Sequence, residues 1–441
     1  MKKLIQTLKN IWSIEELRGK ILFTLMLIVV YRVGSHIVLP GINPVILDAN
    51  PGQAQNGILD MINTFAGGAF NKASIFALGI MPYISASIFM QLMTVLVPKF
   101  QKMQKEGDSG RKKINQMTRY LTVLVTILQA SAYVTYLHQT AGNAILPEYP
   151  YFWLSTTIVL TAGTLFVMWM GEKITDKGLG NGTSLIIMIG ILARLPQSFM
   201  QELVAKSNPA GQILVFIIEI VILIAIIMAC IILIQGVRKV PVNYAKQIVG
   251  NRQFGGARQF LPLKVNSAGV MPIIFAQAIM FLPTLVTLGK TTPISRMFTD
   301  HEDIGYMLIY SVVVIGFTFL YTALIFNPKQ IAENLKQNNG FIPGVKPGQP
   351  TADYIGNVMD KITFPGAVAL AIIGILPGIA DRLGVTQGFA TFFGGTSLLI
   401  MVGVILDTLQ QIETQLLMRQ YDGLMKSGRI QGRQTTSAVQ Y

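Results

Sequence analysis

Ten apolar runs, each about as long as a helix that crosses a bilayer, extend from one end of the chain to the other. A transmembrane helix needs roughly 20 mostly apolar residues. Charged residues account for 13% of the 441-residue sequence, about half of the ~25% that soluble domains carry, which argues against a soluble two-domain protein. The pattern predicts an all-α polytopic membrane protein with ten transmembrane helices. The runs cover about residues 20–38, 74–97, 117–137, 152–171, 183–200, 212–235, 267–288, 304–326, 365–381 and 389–411.

The first run is predicted to be a retained helix and not a signal peptide. Four basic residues within the first 18 positions precede it, but no small-residue cleavage site follows it. Pro82 interrupts the second run, Pro196 the fifth and Pro377 the ninth. Proline is tolerated at membrane depth where neighbouring helices satisfy the freed carbonyl groups, so these runs are still expected to span.

Lysine and arginine residues are distributed unevenly over the loops between the runs. With the N-terminus in the cytoplasm, 26 of the 35 fall on the cytoplasmic side, six on the outer side and three within or beside the runs. Cytoplasmic loops of membrane proteins carry an excess of Lys and Arg. The asymmetry predicts that both termini are cytoplasmic.

Two of the predicted cytoplasmic loops, residues 236–266 and 327–364, are longer than a connection between helices requires. The first contains six basic and no acidic residues, and the second carries Pro343, Pro347 and Pro350 among basic and amide residues. Loops this long are usually functional or disordered. We expect docking surfaces for an acidic or RNA-rich partner, with solvated charge that merely fixes the topology as the alternative.

The segment between the first two runs contains a short amphipathic stretch that cannot cross a bilayer. Ile58 to Phe65 shows helical spacing of apolar residues, and Ala66-Gly-Gly-Ala69 follows as a hinge. A short helix that leads back into the bundle is re-entrant. Such a segment is allowed only where it lines a cavity or is buried in protein.

Few ionisable side chains fall at membrane depth, where charge is costly and mostly functional. Arg32 and Glu219 lie toward the outer ends of the first and sixth runs, and Asp407 lies near the inner end of the tenth. The three histidines lack metal-ligand spacing, the single cysteine lies in an apolar run, and no nucleotide-binding or hydrolase motif is present. The sequence therefore predicts no catalytic residue, no metal site, no cofactor and an external source of energy.

A series of motifs in order along nearly the whole chain resembles the SecY family, the channel subunits of the bacterial Sec protein translocase. The longest match runs from Ala66 to Ser87 (AGGAFNKASIFALGIMPYISAS) and is hard to meet by chance. The further matches are Glu106–Arg111, Gly178–Gly182, Val242–Lys246, Leu261–Asn266, Phe326–Pro328 and Gly394–Ile400.

The resemblance implies a single membrane domain, residues 1–441, that surrounds an hourglass-shaped central pore. Two pseudo-symmetric halves of five helices, residues 1–200 and 201–412, would be followed by a cytoplasmic tail, 413–441. Unfolded secretory polypeptides would cross the bacterial cytoplasmic (inner) membrane through the pore. Transmembrane segments would leave sideways into lipid between the second, third, seventh and eighth helices.

The same resemblance assigns positions to an apolar pore ring and to a plug helix, about residues 58–70. A ring of β-branched apolar side chains can close around a chain and exclude ions by dewetting. Thr183 departs from the usual apolar residue. The ring positions are Ile80, Ile84, Thr183, Ile187, Ile274 and Ile400, and the plug positions are Ile58, Leu59, Met61, Ile62, Phe65, Gly67 and Gly68.

A lateral gate and docking sites complete what the resemblance implies. Ser85 and Gln129 would face each other across the gate. Lys346 occupies a position where the family usually has Arg. Lysine keeps the positive charge but lacks the guanidinium group that binds a partner through two parallel hydrogen bonds. The docking positions are Arg238, Lys239, Lys246, Arg252, Arg258 and Lys346. The implied partners are the SecE and SecG subunits, the SecA motor ATPase, the ribosome with its RNA and proteins, signal sequences, nascent polypeptides and membrane lipids.

Three rival functions make different demands on the sequence. An inverted-repeat secondary transporter, the main alternative, needs coupling residues or small-substrate ligands at mid-membrane, where charge is scarce here. An intramembrane enzyme needs a nucleophile–base pair or a metal pair in the spans, and none is visible. A structural scaffold would leave the plug-like helix and the ring without a purpose.

Overall fold

The computed structural model describes residues 12, 14–49, 63–146, 151–207, 212–244, 247–249, 252–254, 258–286 and 303–426, which form mostly helices. The longer helices are joined by short turns and by a small β-structure in the second half of the chain. The helices are α1 (Glu15–Gly34), α2 (Pro44–Ala49), α3 (Met81–Leu96), α4 (Pro98–Lys105), α5 (Asp108–Ala141), α6 (Phe152–Lys177), α7 (Gly182–Ser207), α8 (Gln212–Gln235), α9 (Met271–Val286), α10 (Ile304–Ile325), α11 (Pro328–Gln337), α12 (Gln349–Arg382), α13 (Gln387–Ala390) and α14 (Gly395–Lys426).

Each of the ten predicted runs coincides with one helix: α1, α3, α5 to α10, α12 and α14. Within the described residues, seven helices are long and apolar enough to cross a membrane, and the bent pair α3–α4 makes an eighth. α1 fails this criterion because of its charged residues, and α9 is only 16 residues long. The protein is thus a mostly α-helical multi-pass membrane protein, as predicted, although fewer than ten of the described helices meet this criterion.

The second spanning helix begins later than the sequence predicts. Residues 66–80 form turns, and α3 starts only at Met81. Gly68 and Gly79 have positive φ angles, which a helix does not accommodate. Pro82 consequently lies in the first turn of α3, where its missing N–H costs nothing, and it does not interrupt the helix. Pro196 and Pro377 do lie inside α7 and α12.

The spanning helices pack as a bundle with three buried apolar clusters. The first joins α1, α3, α6, α7 and α14, the second lies between α5, α6 and residues 66–78, and the third joins α8, α9, α10, α12 and α14. α8 is the most apolar helix, and many of its large side chains are exposed. An exposed apolar face of this kind suits contact with lipid.

The two long basic loops fold together rather than remaining irregular, and we call the side of the bundle that carries them the basic end. β1 (Val237–Tyr244) pairs antiparallel with β4 (Arg258–Lys264) and with β5 (Gly340–Phe341), while β2 (Gln247–Val249) pairs with β3 (Arg252–Phe254). Buried residues from β1, β4, α11 and α12 form a fourth apolar cluster. The sequence predicted the loops but not these strands.

Candidate functional site

A cavity of about 1030 Å³ lies in the middle of the bundle, between α3, α5, α7, α9 and α14. Its lining is mostly apolar, with a few amide and hydroxyl side chains. Five of the six predicted ring positions line it: Ile84, Thr183, Ile187, Ile274 and Ile400. The sixth, Ile80, lies beside it in the apolar cluster that also contains Ile187 and Ile400. The structure therefore brings the six positions together.

Their helices bring these side chains inward from different directions. Ile80 is the N-cap residue of α3, and its carbonyl accepts a hydrogen bond from the Ile84 N–H at 3.1 Å, so the two residues are one helical turn apart. Ile187 and Ile400 lie in the second turns of α7 and α14. Ile80, Ile187 and Ile400 are 3%, 8% and 8% exposed, so all three are buried in one apolar cluster at the cavity.

Thr183 lies at the edge of this set, at the start of α7. The Asn181 Oδ1 atom accepts hydrogen bonds from the Thr183 hydroxyl at 2.6 Å, from its N–H at 3.1 Å and from the Ser184 N–H at 3.3 Å. This is a helix N-terminal capping arrangement. The Thr183 hydroxyl therefore has its hydrogen-bond partner, Asn181, in the turn that precedes α7. Thr183 itself lies one helical turn before Ile187.

Of the predicted plug, Ile58, Leu59, Met61 and Ile62 lie outside the described residues. Residues 63–65 are helical and residues 66–70 form turns, so the helix ends at Phe65 rather than near residue 70. Gly67 and Gly68 both have positive φ angles, which explains this ending. Phe65 is 5% exposed, lines the cavity and belongs to the same apolar cluster as Ile80 and Ile187.

Residues 66–70 also contact α5. The Tyr133 hydroxyl donates a hydrogen bond to the Phe70 carbonyl at 2.7 Å, and the two rings meet edge to face with their centroids 4.6 Å apart. The Tyr136 ring, about one turn before the end of α5, also packs against Phe70, with the ring centroids 5.6 Å apart. Gln129, Tyr133 and Tyr136 all line the cavity, so one face of α5 links the cavity to this segment.

Both predicted gate residues line the cavity, but on neighbouring helices. The Ser85 hydroxyl donates to the Met81 carbonyl of its own helix, α3, at 3.1 Å, and α3 packs along α5, which carries Gln129. A hydrogen bond that the sequence did not predict joins α3 to α10, from the Tyr321 hydroxyl to Gln91 Oε1 at 3.1 Å. No sequence signal connects two residues 230 positions apart.

The predicted docking residues lie at the basic end. Arg238 and Lys239 are exposed on β1, opposite Leu263 and Pro262 of β4. Lys346 is exposed in the second loop, before α12. Arg252 opens β3 and Arg258 opens β4, while Lys246 lies outside the described residues.

A buried ionic network at the other end of the bundle was missed by the sequence reasoning. Lys206 Nζ lies 3.2 Å from Glu219 Oε1 and 3.6 Å from Glu202 Oε1, and donates to the Gly384 carbonyl at 2.9 Å. Glu202 Oε2 accepts from the Thr386 N–H at 2.8 Å and from its hydroxyl. The network ties α7 and α8 to the turn after α12. Among the described residues, no group of His, Cys, Asp or Glu side chains is arranged to hold a metal ion.

Comparison with known proteins gives one consistent family. A family model described as SecY matches residues 74–409. The chain is 42% identical over 449 residues to the "Protein translocase subunit SecY" of Corynebacterium glutamicum, with 97% of this chain and 100% of that protein covered. It is 41% identical over 428 residues to the subunit of the same name from Streptomyces scabiei, covering 93% and 97%.

Solved structures of similar fold are also channels. One, described as "The structure of a protein conducting channel", has a TM-score of 0.62 at 16% identity and covers 93% of this chain and 94% of its own. Another, Sec61 in the canine ribosome–channel complex from the endoplasmic reticulum, has a TM-score of 0.59 at 16% identity with the same coverage. At this identity the structural likeness concerns the fold.

Proposed function

The chain belongs to the SecY family of protein translocase subunits, and we propose that the residues around its cavity form the gate of the protein-conducting channel. The protein is a multi-pass membrane subunit of such a channel and not an enzyme. The bacterial cytoplasmic membrane is its proposed location, with both termini in the cytoplasm. The charge asymmetry of the loops and the basic end support this orientation.

The observation that carries the proposal is the convergence of the ring positions on one cavity. Side chains from four helices, α3, α7, α9 and α14, surround a volume of about 1030 Å³ that is lined mainly by apolar groups. An apolar constriction excludes ions by dewetting, while flexible side chains yield to an extended polypeptide. Ile80, Ile84, Thr183, Ile187, Ile274 and Ile400 are the proposed ring.

The plug and the lateral gate complete the proposed mechanism. Phe65 packs in the ring's apolar cluster, so removal of the plug, about residues 58–70, would open the cavity.

The lateral gate would be held closed only weakly. Ser85 and Gln129 lie on one side of it, and the hydrogen bond between Gln91 and Tyr321 crosses it. Interhelical hydrogen bonds in membranes contribute about 0.6–2 kcal/mol. An apolar signal segment of about 20 residues gains on the order of 10 kcal/mol in lipid, which is enough to part the helices.

The channel is proposed to work with partners that supply energy and hold its halves. The exposed basic residues of β1 and the second loop suit the SecA motor ATPase and the ribosome. The Sec61 relative was solved in a ribosome–channel complex, which supports the ribosome as a partner. Family membership is the basis for proposing SecE and SecG as partner subunits. It is also the basis for proposing that the chain is divided into two halves at about residue 200. No comparison supports a secondary transporter.

Replacing Ile80 and Ile400 with glycine tests the ring. Removal of both side chains opens a gap in the apolar cluster that they share with Ile187, so we expect a higher ion conductance of the idle channel and translocation of proteins with defective signal sequences. Both are measured with the assembled channel in planar bilayers and in proteoliposomes. The matched control is Ile222→Gly with Ile232→Gly, two exposed isoleucines of α8. Conductance and selection equal to those of this control would refute the ring assignment.

A secretory chain arrested during translocation tests the path directly. A photo-reactive residue at Ile84 or Ile274, which line the cavity, should cross-link to the arrested chain. The same residue at the exposed position Ile222 should not. Equal yields at the three positions would mean that the polypeptide does not pass through the cavity.

A further inference from the structure

Two arginine side chains from separate helices contact one short segment beside the cavity. We call residues 63–70 the plug end. Arg32, in the last turn of α1, donates from Nη1 to the Gly67 carbonyl at 3.0 Å. Arg194, in α7, donates from Nη1 to the Thr64 hydroxyl at 2.6 Å. Ionisable side chains inside membrane proteins are costly and mostly functional, so two arginines on one segment require an explanation.

The plug end lies against α7 so closely that its position is well defined. Gly67 has a φ of +66°, and a Cβ atom there would lie 2.9 Å from the Gly190 Cα. A Cβ atom at Gly190 would lie 2.5 Å from the Phe65 carbonyl oxygen. Side chains at either position would push the two segments apart. Both arginine hydrogen bonds therefore depend on the plug end occupying this position.

We propose that Arg32 and Arg194 are positioning residues that hold the plug end in its resting position and thereby set how readily the channel opens. The inference rests on the proposed role of residues 58–70 as the plug. Both donors are charged, which makes their hydrogen bonds stronger than neutral ones. Both belong to long helices of the bundle, α1 and α7, whereas Thr64 and Gly67 belong to the segment that must leave. Opening of the channel breaks both bonds, and neither arginine contributes to the ring itself.

Single-channel recording of the assembled translocase in planar bilayers tests the proposal. Arg32→Met and Arg194→Met should each raise the open probability of the idle channel at least about tenfold, as expected for the loss of at least one hydrogen bond to a charged group. Open probability is measured channel by channel, so it does not depend on how much protein folds. Arg32→Lys and Arg194→Lys retain a charged donor and should restore part of the closed state. Unchanged open probability in both methionine variants would overturn the proposal.

Thr64→Val removes the hydroxyl that accepts the hydrogen bond from Arg194. The substitution leaves the charge unchanged and the shape of the side chain nearly so. It should raise open probability in the Arg32→Met background but add little in the Arg194→Met background, because Arg194 and Thr64 share one bond. A Thr64→Val effect of equal size in both backgrounds would contradict the pairing. Arg382→Met is the control, since Arg382 is an exposed arginine at the end of α12, far along the chain from the plug end.

The ring variants separate this inference from the proposed function. Ile80→Gly with Ile400→Gly should conduct ions whatever holds the plug end. If the ring variant leaks and the arginine variants do not, the arginine inference is wrong and the channel assignment stands. If neither leaks, the proposed gate itself is wrong, and the inference falls with it.

Discussion

At the scale of single residues, the most demanding part of the molecule is the network of Glu202, Lys206 and Glu219. The Glu202 side chain is fully buried, and those of Lys206 and Glu219 are 11% and 8% exposed. Burial of a charge costs several kcal/mol unless partners compensate for it. Two carboxylates share one ammonium group here, Thr386 donates to Glu202 Oε2 and Lys206 donates to the Gly384 carbonyl, whereas Glu202 Oε1 and Glu219 Oε2 accept no hydrogen bond from the described residues. The network is stable only as a unit.

Lys206→Met should therefore lower the free energy of unfolding by about 3–5 kcal/mol, the usual cost of leaving one side of a buried ion pair uncompensated. The midpoint of thermal unfolding of the purified protein in detergent measures this loss. Adding Glu219→Gln to Lys206→Met should recover part of it, because one of the two facing negative charges disappears.

The control for this prediction is Lys177→Met, at the exposed end of α6. Exposed substitutions usually change stability by no more than about 0.5 kcal/mol. Equal shifts for Lys177→Met and Lys206→Met would show that the buried network does not stabilise the fold.

At the scale of elements, α3 and α10 meet through a contact that suits a gate. The Tyr321 hydroxyl donates to Gln91 Oε1, and the Tyr321 ring lies beside Phe275 of α9. A single neutral hydrogen bond between membrane helices holds them by only about 0.6–2 kcal/mol. Such a contact keeps the helices together at rest and is broken at little cost.

Tyr321→Phe should make separation of α3 and α10 about 3- to 30-fold more favourable, since it removes only the hydroxyl. Translocation of a secretory protein with a weakened signal sequence measures the change. Gln91→Leu should have the same effect, and the double variant should add little. Tyr310→Phe is the control, because Tyr310 lies on the same helix but packs within the cluster of α8, α9 and α12. An equal effect of Tyr310→Phe would argue against a specific contact.

The helices were predictable from hydropathy, whereas their ends and the β-structure were not. All ten apolar runs coincide with helices because length and apolarity are properties of a local window. The late start of α3 follows from Gly79 and its positive φ angle, which periodicity does not reveal. The strands had a local signal, since Val240 and Val242 alternate with exposed or half-buried residues, but the basic composition of the loop concealed it.

The candidate site was predictable only where motifs specify it. Five of the six ring positions line one cavity. The ring positions that lie within the motif matches are Ile80, Ile84 and Ile400. The contacts of Arg194 with Thr64 and of Tyr321 with Gln91 join residues 130 and 230 positions apart. Such pairs depend on the packing of helices, which a single sequence does not encode in any local pattern.

At the scale of the whole molecule, the two long loops form one basic platform rather than two separate docking segments. We use platform for β1, β4, β5, α11 and the first turns of α12, which share the apolar cluster around Ile355 and Met359. Arg238 and Lys239 are exposed on its strand β1, and Lys346 is exposed in the turn that joins β5 to α12. A rigid arrangement of positive charges binds an acidic or RNA-rich partner better than a flexible loop does, because less conformational entropy is lost.

Arg238→Glu combined with Lys239→Glu should weaken binding of ribosomes or of the motor ATPase at least about tenfold at low salt, because two attractive charges become repulsive. The salt dependence of ribosome binding should also become shallower, since each lost phosphate contact reduces the slope. Co-sedimentation of the reconstituted channel with ribosomes at several salt concentrations measures both.

The control is Lys112→Glu combined with Lys113→Glu, an exposed pair at the start of α5. This variant changes the charge by the same amount at the same end of the bundle but outside the platform. Equal weakening in the two double variants would mean that the platform contributes only net charge, whereas a loss confined to the β1 pair would locate the docking surface there.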